Sequence, residues 1–396
     1  VAEEGARPNL LMLTRNMPPL MGGMERLIWH MADEFNASHK VHVVGPKGAG
    51  RLAPNKVDVS EVPIAPLPWF LLRICAASLW QALRQQPKVV LAGSGLTAPV
   101  ALLTARVTGA RAVVYLHGLD IEARHYAYRK LWHPCIRRCD RIIANSRFTR
   151  QVALEAGIPS DRLDVLHPGV DLPDLSRAAT ARESFRARYN LGDAPVMLYV
   201  GRISARKGLA PFVRDILPSI VNAAPEVRLV VIGDEPHQAV LGGDSQLEQV
   251  HIALQANGLS DRMHHLGPRT HNDPEISDAY FAADVHVFPV QDRPGDNEGF
   301  GMVAVEAAAH GLPTVAFATG GTSDSVADGT SGTLVSSGDN TAFARAVADF
   351  LLAPAGDRQE AVLRFASSFA WTHFGRKLRE LVGNAKPARH SDAELG

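Results

Sequence analysis

Apolar residues along this chain fall in short runs, separated by longer stretches whose apolar positions recur at helical spacing. In the first half the runs Asn9–Leu13, Val41–Gly45, Val89–Ala92, Ala112–His117, Arg141–Ala144 and Val165–His167 read as strands. In the second half Val196–Gly201, Arg228–Gly233, Met263–Leu266, Val285–Pro289 and Thr314–Phe317 read the same way. Strands separated by helix-length segments predict βαβ units, and so an α/β fold of parallel sheets with helices on both faces. The pattern runs, stops near Asp171–Asp193, and starts again. Pro173, a charged stretch (Arg177, Arg182, Glu183, Arg186, Arg188) and Gly192–Pro195 predict a linker there. The expected domains are 1–172 and 190–372, followed by a C-terminal helix over 373–390. Helical apolar spacing runs through Arg358–Glu380 (Val362, Phe365, Phe369, Phe374, Leu378), and the polar Asn384–Gly396 is expected to fray.

The length of 396 residues supports two domains. A content of 46% hydrophobic and 21% charged residues fits a soluble globular chain. Three cysteines, Cys75, Cys135 and Cys139, suit neither an even disulfide framework nor a zinc spacing, which points to a reducing compartment. The first residues are polar and acidic, unlike a signal peptide. No uncharged apolar run is long enough to predict a spanning helix. The nearest, Ile64–Leu83, carries Trp69, Phe70, Leu71, Leu72, Ile74 and Trp80 but is broken by Arg73. It could lie on a membrane surface, but a buried helix of the first domain is the favoured reading of the same residues.

Charge is balanced overall but unevenly shared. Residues 1–172 hold 21 Lys/Arg against 14 Asp/Glu, a surplus of seven, and residues 173–396 hold 20 against 27, the matching deficit. Arg124, Arg129, Lys130, Arg137, Arg138, Arg141, Arg147 and Arg150 concentrate cations in the first half. They suit either an anionic lipid or phosphorylated partner, or a plain solvated helix.

In open parallel sheets ligands sit beyond the carboxyl ends of the strands, so the residues after each strand are the candidates. Gly22–Gly23 precede a predicted helix whose free N–H groups could meet an anion. His117, Gly118, Leu119 and Asp120 follow a strand, where an imidazole could meet a substrate hydroxyl. Gly201–Gly208 place Arg202, Arg206 and Lys207 on one turn, a cation cluster suited to a diphosphate. Glu298, Gly299, Phe300, Gly301, Met302, Val303 and Glu306 place two glycines at a predicted helix start near Gly301. A carboxylate stands on each side, and the spacing of about 100° per residue brings the two toward one side. Gly233, Gly267–Arg269 and Thr319–Thr322 also follow strands.

Gly22–Gly23, Arg202 with Lys207, Glu298 with Glu306, and the turn His167–Asp171 together resemble the retaining glycosyltransferases of family 4, over most of the chain. The resemblance implies the GT-B fold: two Rossmann-like doubly wound domains facing a central cleft, with a C-terminal helix returning to the first. It implies a hexose moved from GDP-mannose or a UDP-sugar to a lipid-linked or surface-polysaccharide acceptor, as in lipopolysaccharide synthesis. It also implies a cytoplasmic enzyme, with contact at the inner face of the membrane. By position, His117, Arg202, Lys207 and Glu298 are the expected catalytic residues. Gly22, Gly23, Gly233, Arg269, Gly299, Phe300, Gly301, Met302, Val303 and Glu306 join the last three in binding the donor. Asp120 and Asn145 stand on the acceptor side. No Asp-x-Asp occurs, so neither metal nor cofactor is expected, and no nucleic acid partner is implied. A nucleotide-sugar epimerase, a phosphorylase or a non-catalytic sugar-nucleotide-binding subunit are the alternatives.

Overall fold

A computed structural model describes residues 7–123, 125–235, 245–270, 273–353 and 358–383. Arg124 and the 384–396 tail therefore lie outside the described residues. The chain divides into two compact units, Val1–Gly169 with Trp371–Gly396, and Val170–Ala370.

The first unit is built on seven strands: β1 (Asn9–Leu13), β2 (Lys40–Pro46), β3 (Asp58–Val62), β4 (Val89–Ala92), β5 (Arg111–Leu116), β6 (Arg141–Ala144) and β7 (Leu163–Val165). They lie in the order β3-β2-β1-β4-β5-β6-β7, all parallel. The central strands read as nearly continuous apolar runs because both faces are covered. Val89, Val90, Leu91 and Ala92 are all fully buried. The second unit holds β8 (Val196–Val200), β9 (Arg228–Ile232), β10 (Met263–His265), β11 (Val285–Phe288), β12 (Thr314–Phe317) and β13 (Gly332–Val335). Their order is β10-β9-β8-β11-β12-β13, again all parallel. Strand order reverses between β1 and β4 in one sheet and between β8 and β11 in the other. Those reversals open a crevice at the carboxyl edge of each sheet.

Four sequence expectations change. β3 and β13 are edge strands too polar or too short to stand out: Asp58–Val62 buries only Val62, and Gly332–Val335 begins on a glycine. The expected linker over Asp171–Asp193 is instead largely folded. The helix Ala178–Arg188 packs on the helix Pro274–Ala282, and Arg186 and Arg182 donate to the terminal carbonyl of Ala282 at 2.8 Å each. Arg182 and Arg186 thus cap a helix end, while the exposed Arg177 and Arg188 pair with Asp278 and Glu275. The apolar spacing over Arg358–Glu380 belongs to two helices, Arg358–Ser367 and Trp371–Gly383, which lie in different units. Between them Ala370 bridges Val170, whose N–H donates to the Phe369 carbonyl at 2.8 Å.

The last helix completes the first unit. Trp371 stacks on His30 of the helix Gly23–Asn36 with ring centroids 3.9 Å apart, and Arg379 pairs with Glu34 at 2.9 Å. A Cβ at Gly169 would lie 2.2 Å from the Trp371 ring, so only glycine admits that packing. Ile64–Leu83 holds a helix of the first unit that is buried on one side only. The helix Leu67–Gln85 buries Phe70 and Ile74 while Trp69, Leu72, Trp80 and Leu83 stay exposed.

Candidate active site

Each unit carries its own set of candidate residues at the carboxyl edge of its sheet. In the second unit they converge on the β8/β11 reversal. The turn after β8 runs Gly201 to Gly208; Gly208 takes φ +73°, and a Cβ there would sit 1.9 Å from the Pro289 carbonyl oxygen, just beyond β11. This close approach brings Lys207 under the loop that follows β11. Its ammonium lies 2.9 Å from the Glu298 Oε2 and 4.8 Å from the centre of the Phe288 ring. Both side chains are nearly buried, and a buried ion is tolerable only when paired. Burial pushes the Lys207 pKa down, helped by Arg206 and Arg202, against the pull of Glu298. Burial pushes Glu298 up, but Lys207 and Arg206 outweigh it and hold its carboxyl below the usual range. Beneath them His286 is kept neutral, its pKa driven to about 3 by burial and by Lys207.

The helix Met302–Ala309 begins after Gly301, as its glycine pattern implied, with Gly301 at φ +96°. The loop before it is held by the turn after β12: the Gly321 N–H donates to the Glu298 carbonyl at 2.7 Å. A Cβ at Gly321 would meet the Gly299 carbonyl oxygen at 2.1 Å, so the two glycine turns touch backbone to backbone. Glu298 precedes the helix in an irregular loop, so the 100° rotation does not relate it to Glu306. Their partners differ accordingly: the Tyr280 hydroxyl donates to the Glu306 Oε2 at 3.2 Å.

Of the three cations on the β8 turn, Arg202 is exposed, while Arg206 turns inward. The Arg206 guanidinium donates to the Asn297 carbonyl at 3.1 Å and lies 3.7 Å from Asp296 and 3.8 Å from Glu298. Its own carbonyl accepts from the Gln291 N–H at 2.8 Å. Arg206 thereby grips both ends of the polar segment Gln291–Asn297 that delivers Glu298. Sequence placed Arg206 in the cluster without giving it this task, which depends on a contact across some 90 residues. Gly233 takes φ +143°, its missing Cβ making room for the Gly201 carbonyl oxygen. Arg269 pairs with Glu275 at 2.6 Å, and Glu275 also binds Arg188 and the Tyr189 hydroxyl. Among the described residues no group of three or more His, Cys, Asp or Glu side chains could hold a metal ion.

In the first unit the candidates serve one another. His117 lies just past β5, and its Nε2 donates to the Gly93 carbonyl at 2.7 Å, which leaves Nδ1 as the acceptor nitrogen of the neutral ring. Asp120, expected on the acceptor side, is fully engaged. Its Oδ1 accepts the N–H groups of His117 and Gly118 at 2.9 and 3.1 Å, and its Oδ2 that of Gly95 at 2.8 Å. Asn145 donates from Nδ2 to the His117 carbonyl at 3.1 Å. Both residues position the His117 loop. Gly22 caps the helix Gly23–Asn36, but Glu25 of its first turn reaches back over that end: a Cβ at Gly22 would meet the Glu25 Oε2 at 2.4 Å. Asn16 donates to the other Glu25 oxygen at 2.8 Å, so a carboxylate already sits where an anion was expected.

Comparison with known proteins follows the same division. A family model described as Glycosyltransferase Family 4 matches residues 21–173, and one described as Glycosyl transferases group 1 matches residues 194–352. Over 400 residues the chain is 29% identical to the GDP-mannose-dependent alpha-(1-6)-phosphatidylinositol monomannoside mannosyltransferase of Mycolicibacterium smegmatis, covering 96% of this chain and 100% of that protein. It is 33% identical over 244 residues to the D-inositol 3-phosphate glycosyltransferase of Mycolicibacterium vanbaalenii. That match covers 59% of this chain and spans about half (50%) of that relative. Among solved structures, HepE of Anabaena in complex with UDP and glucose superposes with a TM-score of 0.77 at 19% identity, covering 95% of this chain and 100% of that one. Sucrose-phosphate synthase of Thermosynechococcus elongatus gives 0.74 at 21% identity, covering 95% and 98%. At such identities these two likenesses speak for the fold alone. With both family patterns falling in order on the two parallel sheets, the chain belongs to glycosyltransferase family 4 and is a glycosyltransferase of the GT-B fold.

Proposed function

We propose that the chain is a metal-independent retaining hexosyltransferase using a nucleoside-diphosphate sugar, GDP-mannose or a UDP-sugar, and a lipid-linked or surface-polysaccharide acceptor. It works peripherally at the inner face of the cytoplasmic membrane. The observation that carries this reading is the buried Lys207–Glu298 pair at the sheet reversal, beside a glycine-rich helix start. On donor binding, Lys207 exchanges its carboxylate for phosphate oxygens, joined by Arg202 and the amides of Phe300 to Val303. Glu298, released from Lys207, accepts a hydroxyl of the hexose, and Glu306 takes the ribose. Gly23 meets the diphosphate once the Glu25 carboxylate swings off the helix start, Gly233 keeps its turn open, and Arg269 lies beside the base. His117 offers its ring to the transferred sugar. Fixed cations stabilise the departing diphosphate without a metal, as preorganised charge. The acceptor hydroxyl attacks the face that the diphosphate leaves and passes its proton to the departing phosphate oxygen, so the anomeric configuration is kept without a carboxylate nucleophile. The names of the mannosyltransferase and inositol phosphate relatives support GDP-mannose and a phosphorylated or lipid-linked acceptor as the first pair to try.

The experiment is a titration of the protein with free nucleotides and nucleotide sugars, then turnover with lipid-linked acceptors in the presence and absence of EDTA. Saturable binding of one donor and EDTA-insensitive transfer are expected. Loss of transfer on chelation overturns metal independence. Isomerisation of the donor in the absence of acceptor identifies an epimerase instead.

A further inference from the structure

The helix Pro274–Ala282 carries Ser277 and Tyr280 three residues apart, and the helix Met302–Ala309 with its cap carries Glu306 and His310 four apart. Such spacings put each pair on one face of its helix, and the two faces are joined side chain to side chain. The Tyr280 hydroxyl lies 3.2 Å from the Glu306 Oε2 and 3.4 Å from the Val303 carbonyl oxygen. Its one proton is better placed on the nearer, charged oxygen. The His310 Nδ1 lies 2.8 Å from the Glu306 carbonyl oxygen, and its Nε2 lies 2.8 Å from the Ser277 hydroxyl. The rings of Tyr280 and His310 stack with centroids 4.9 Å apart.

A carbonyl only accepts, so Nδ1 carries the proton and Nε2 accepts from the Ser277 hydroxyl. That tautomer belongs to a neutral ring, and burial holds the His310 pKa down at about 3. The bond has a cause in the backbone. Glu306 is among the last four residues of its helix, whose carbonyls lose their usual partners, and the His310 N–H donates to Ala307 at 3.0 Å. The imidazole therefore caps the same residue whose carboxylate Tyr280 holds. One stacked pair of rings grips Glu306 at main chain and side chain.

Tyr280 has little room to swing, being 1% exposed. It meets the His286 ring edge-on at 6.2 Å, His286 stacks on Phe288 at 5.9 Å, and the Lys207 ammonium lies 4.8 Å from the centre of the Phe288 ring. His286 and Phe288 are two apart on β11 and so share one face of the sheet. A row of rings thus runs from Lys207 at one end to Glu306 at the other. Close-packed side chains leave little slack, so the row fixes where the carboxylate stands relative to the ammonium.

We propose that Tyr280 is a positioning residue for donor binding: braced by His310 and Ser277, it aims the Glu306 carboxylate at the ribose diol without touching the nucleotide itself. The inference rests on the reading of Glu306 as the ribose ligand. It adds the device that sets the preference for ribose over deoxyribose donors. A carboxylate meets two neighbouring hydroxyls with both oxygens in one orientation only, so a rotation that leaves its charge intact still costs recognition.

The test is calorimetric titration of the full chain with GDP and UDP, each beside its dideoxyribose counterpart, which keeps base and diphosphate but lacks the diol. The parent should prefer the ribose form, and Glu306→Ala should erase that preference. Tyr280→Phe keeps the ring and its stacking. It should weaken the ribose nucleotide by about five- to tenfold and leave the dideoxy one unchanged, which also shows that the variant is folded. The KM for the nucleotide sugar should rise by the same factor with kcat nearly constant. His310→Ala should give a smaller loss of the same kind, and His310→Asn, whose amide reaches the place of Nδ1, should recover it. Equal weakening of both nucleotides by Tyr280→Phe makes Tyr280 a structural residue and overturns the proposal, as does no weakening of either. In both cases the Glu306 reading stands. A parent indifferent to the diol, or a Glu306→Ala chain that keeps the preference, defeats the Glu306 reading and the inference with it. Failure to bind any of the nucleotides defeats the hexosyltransferase reading and the inference alike.

Discussion

At the carboxyl edge of the second sheet charge is concentrated and buried: Lys207, Glu298 and the inward-turned Arg206 sit within 4 Å of one another or share a partner. At the same edge of the first sheet the candidates His117, Asp120 and Asn145 are joined by neutral or singly charged hydrogen bonds to backbone groups. The first arrangement stores electrostatic free energy that an anionic ligand can draw upon. The second builds a rigid loop around one imidazole. A buried charge pair is costly to assemble and leaves each partner dependent on the other, whereas a carboxylate that accepts three N–H groups is a structural clamp. Similar sequence positions, each just after a strand, thus end in opposite roles.

The largest expected effect separates the two edges directly. Lys207→Ala should lower turnover by about 10²–10³-fold and weaken binding of free nucleoside diphosphate, measured by steady-state kinetics and calorimetry. If nucleotide binding survived unchanged, the charge at the second edge would be structural after all. Asp120→Ala should act on the first edge instead. Stranding the N–H groups of Gly95, His117 and Gly118 should lower stability by about 2–3 kcal/mol in urea unfolding. Affinity for nucleoside diphosphate should remain. A stable Asp120→Ala chain that had lost activity would make Asp120 an acceptor contact and erase the contrast.

Arg206→Gln comes next. Because Arg206 grips the segment that carries Glu298, the change should raise the KM for the nucleotide sugar by about tenfold, the equivalent of one charge-assisted hydrogen bond. Free nucleoside diphosphate should bind nearly as before, since the Arg206 guanidinium is already engaged by Asn297, Asp296 and Glu298. Equal losses for both ligands would place Arg206 among the diphosphate ligands.

The smallest effect is a slope. Glu298 has a folded pKa below its unfolded value, so its stabilisation is complete above the ordinary carboxyl range. It is lost as pH falls through the depressed value. Unfolding free energies of the parent and Glu298→Gln should therefore converge as pH falls below about 4. A difference that held constant down to acid pH would show that Glu298 is not the ionised partner of Lys207.

Much of this was legible in the chain itself, and the reasons differ from element to element. The strands β1, β4, β8 and β11 were visible because both of their faces are covered, which forces unbroken apolar runs. β3 and β13 were not, because an edge strand can be short and half polar. The start of the helix at Met302 followed from Gly301 and the good helix formers after it. The orientation of Arg206 and the clamp made by Asp120 could not follow from spacing. Each depends on a partner far along the chain, Asn297 in one case and Gly95 in the other. The linker failed as a reading because a charged stretch can be a helix whose arginines cap another helix.

The return of the helix Trp371–Gly383 to the first unit has a consequence for synthesis on the ribosome. The groove that Trp371 fills, between His30 and the bare Cα of Gly169, is translated early, but its plug is made only after the whole of Val170–Ala370. Domains ordinarily fold in the order they emerge. Here the nascent first unit must wait with an apolar seam open while the second is produced. The unit that begins first is the one that finishes last.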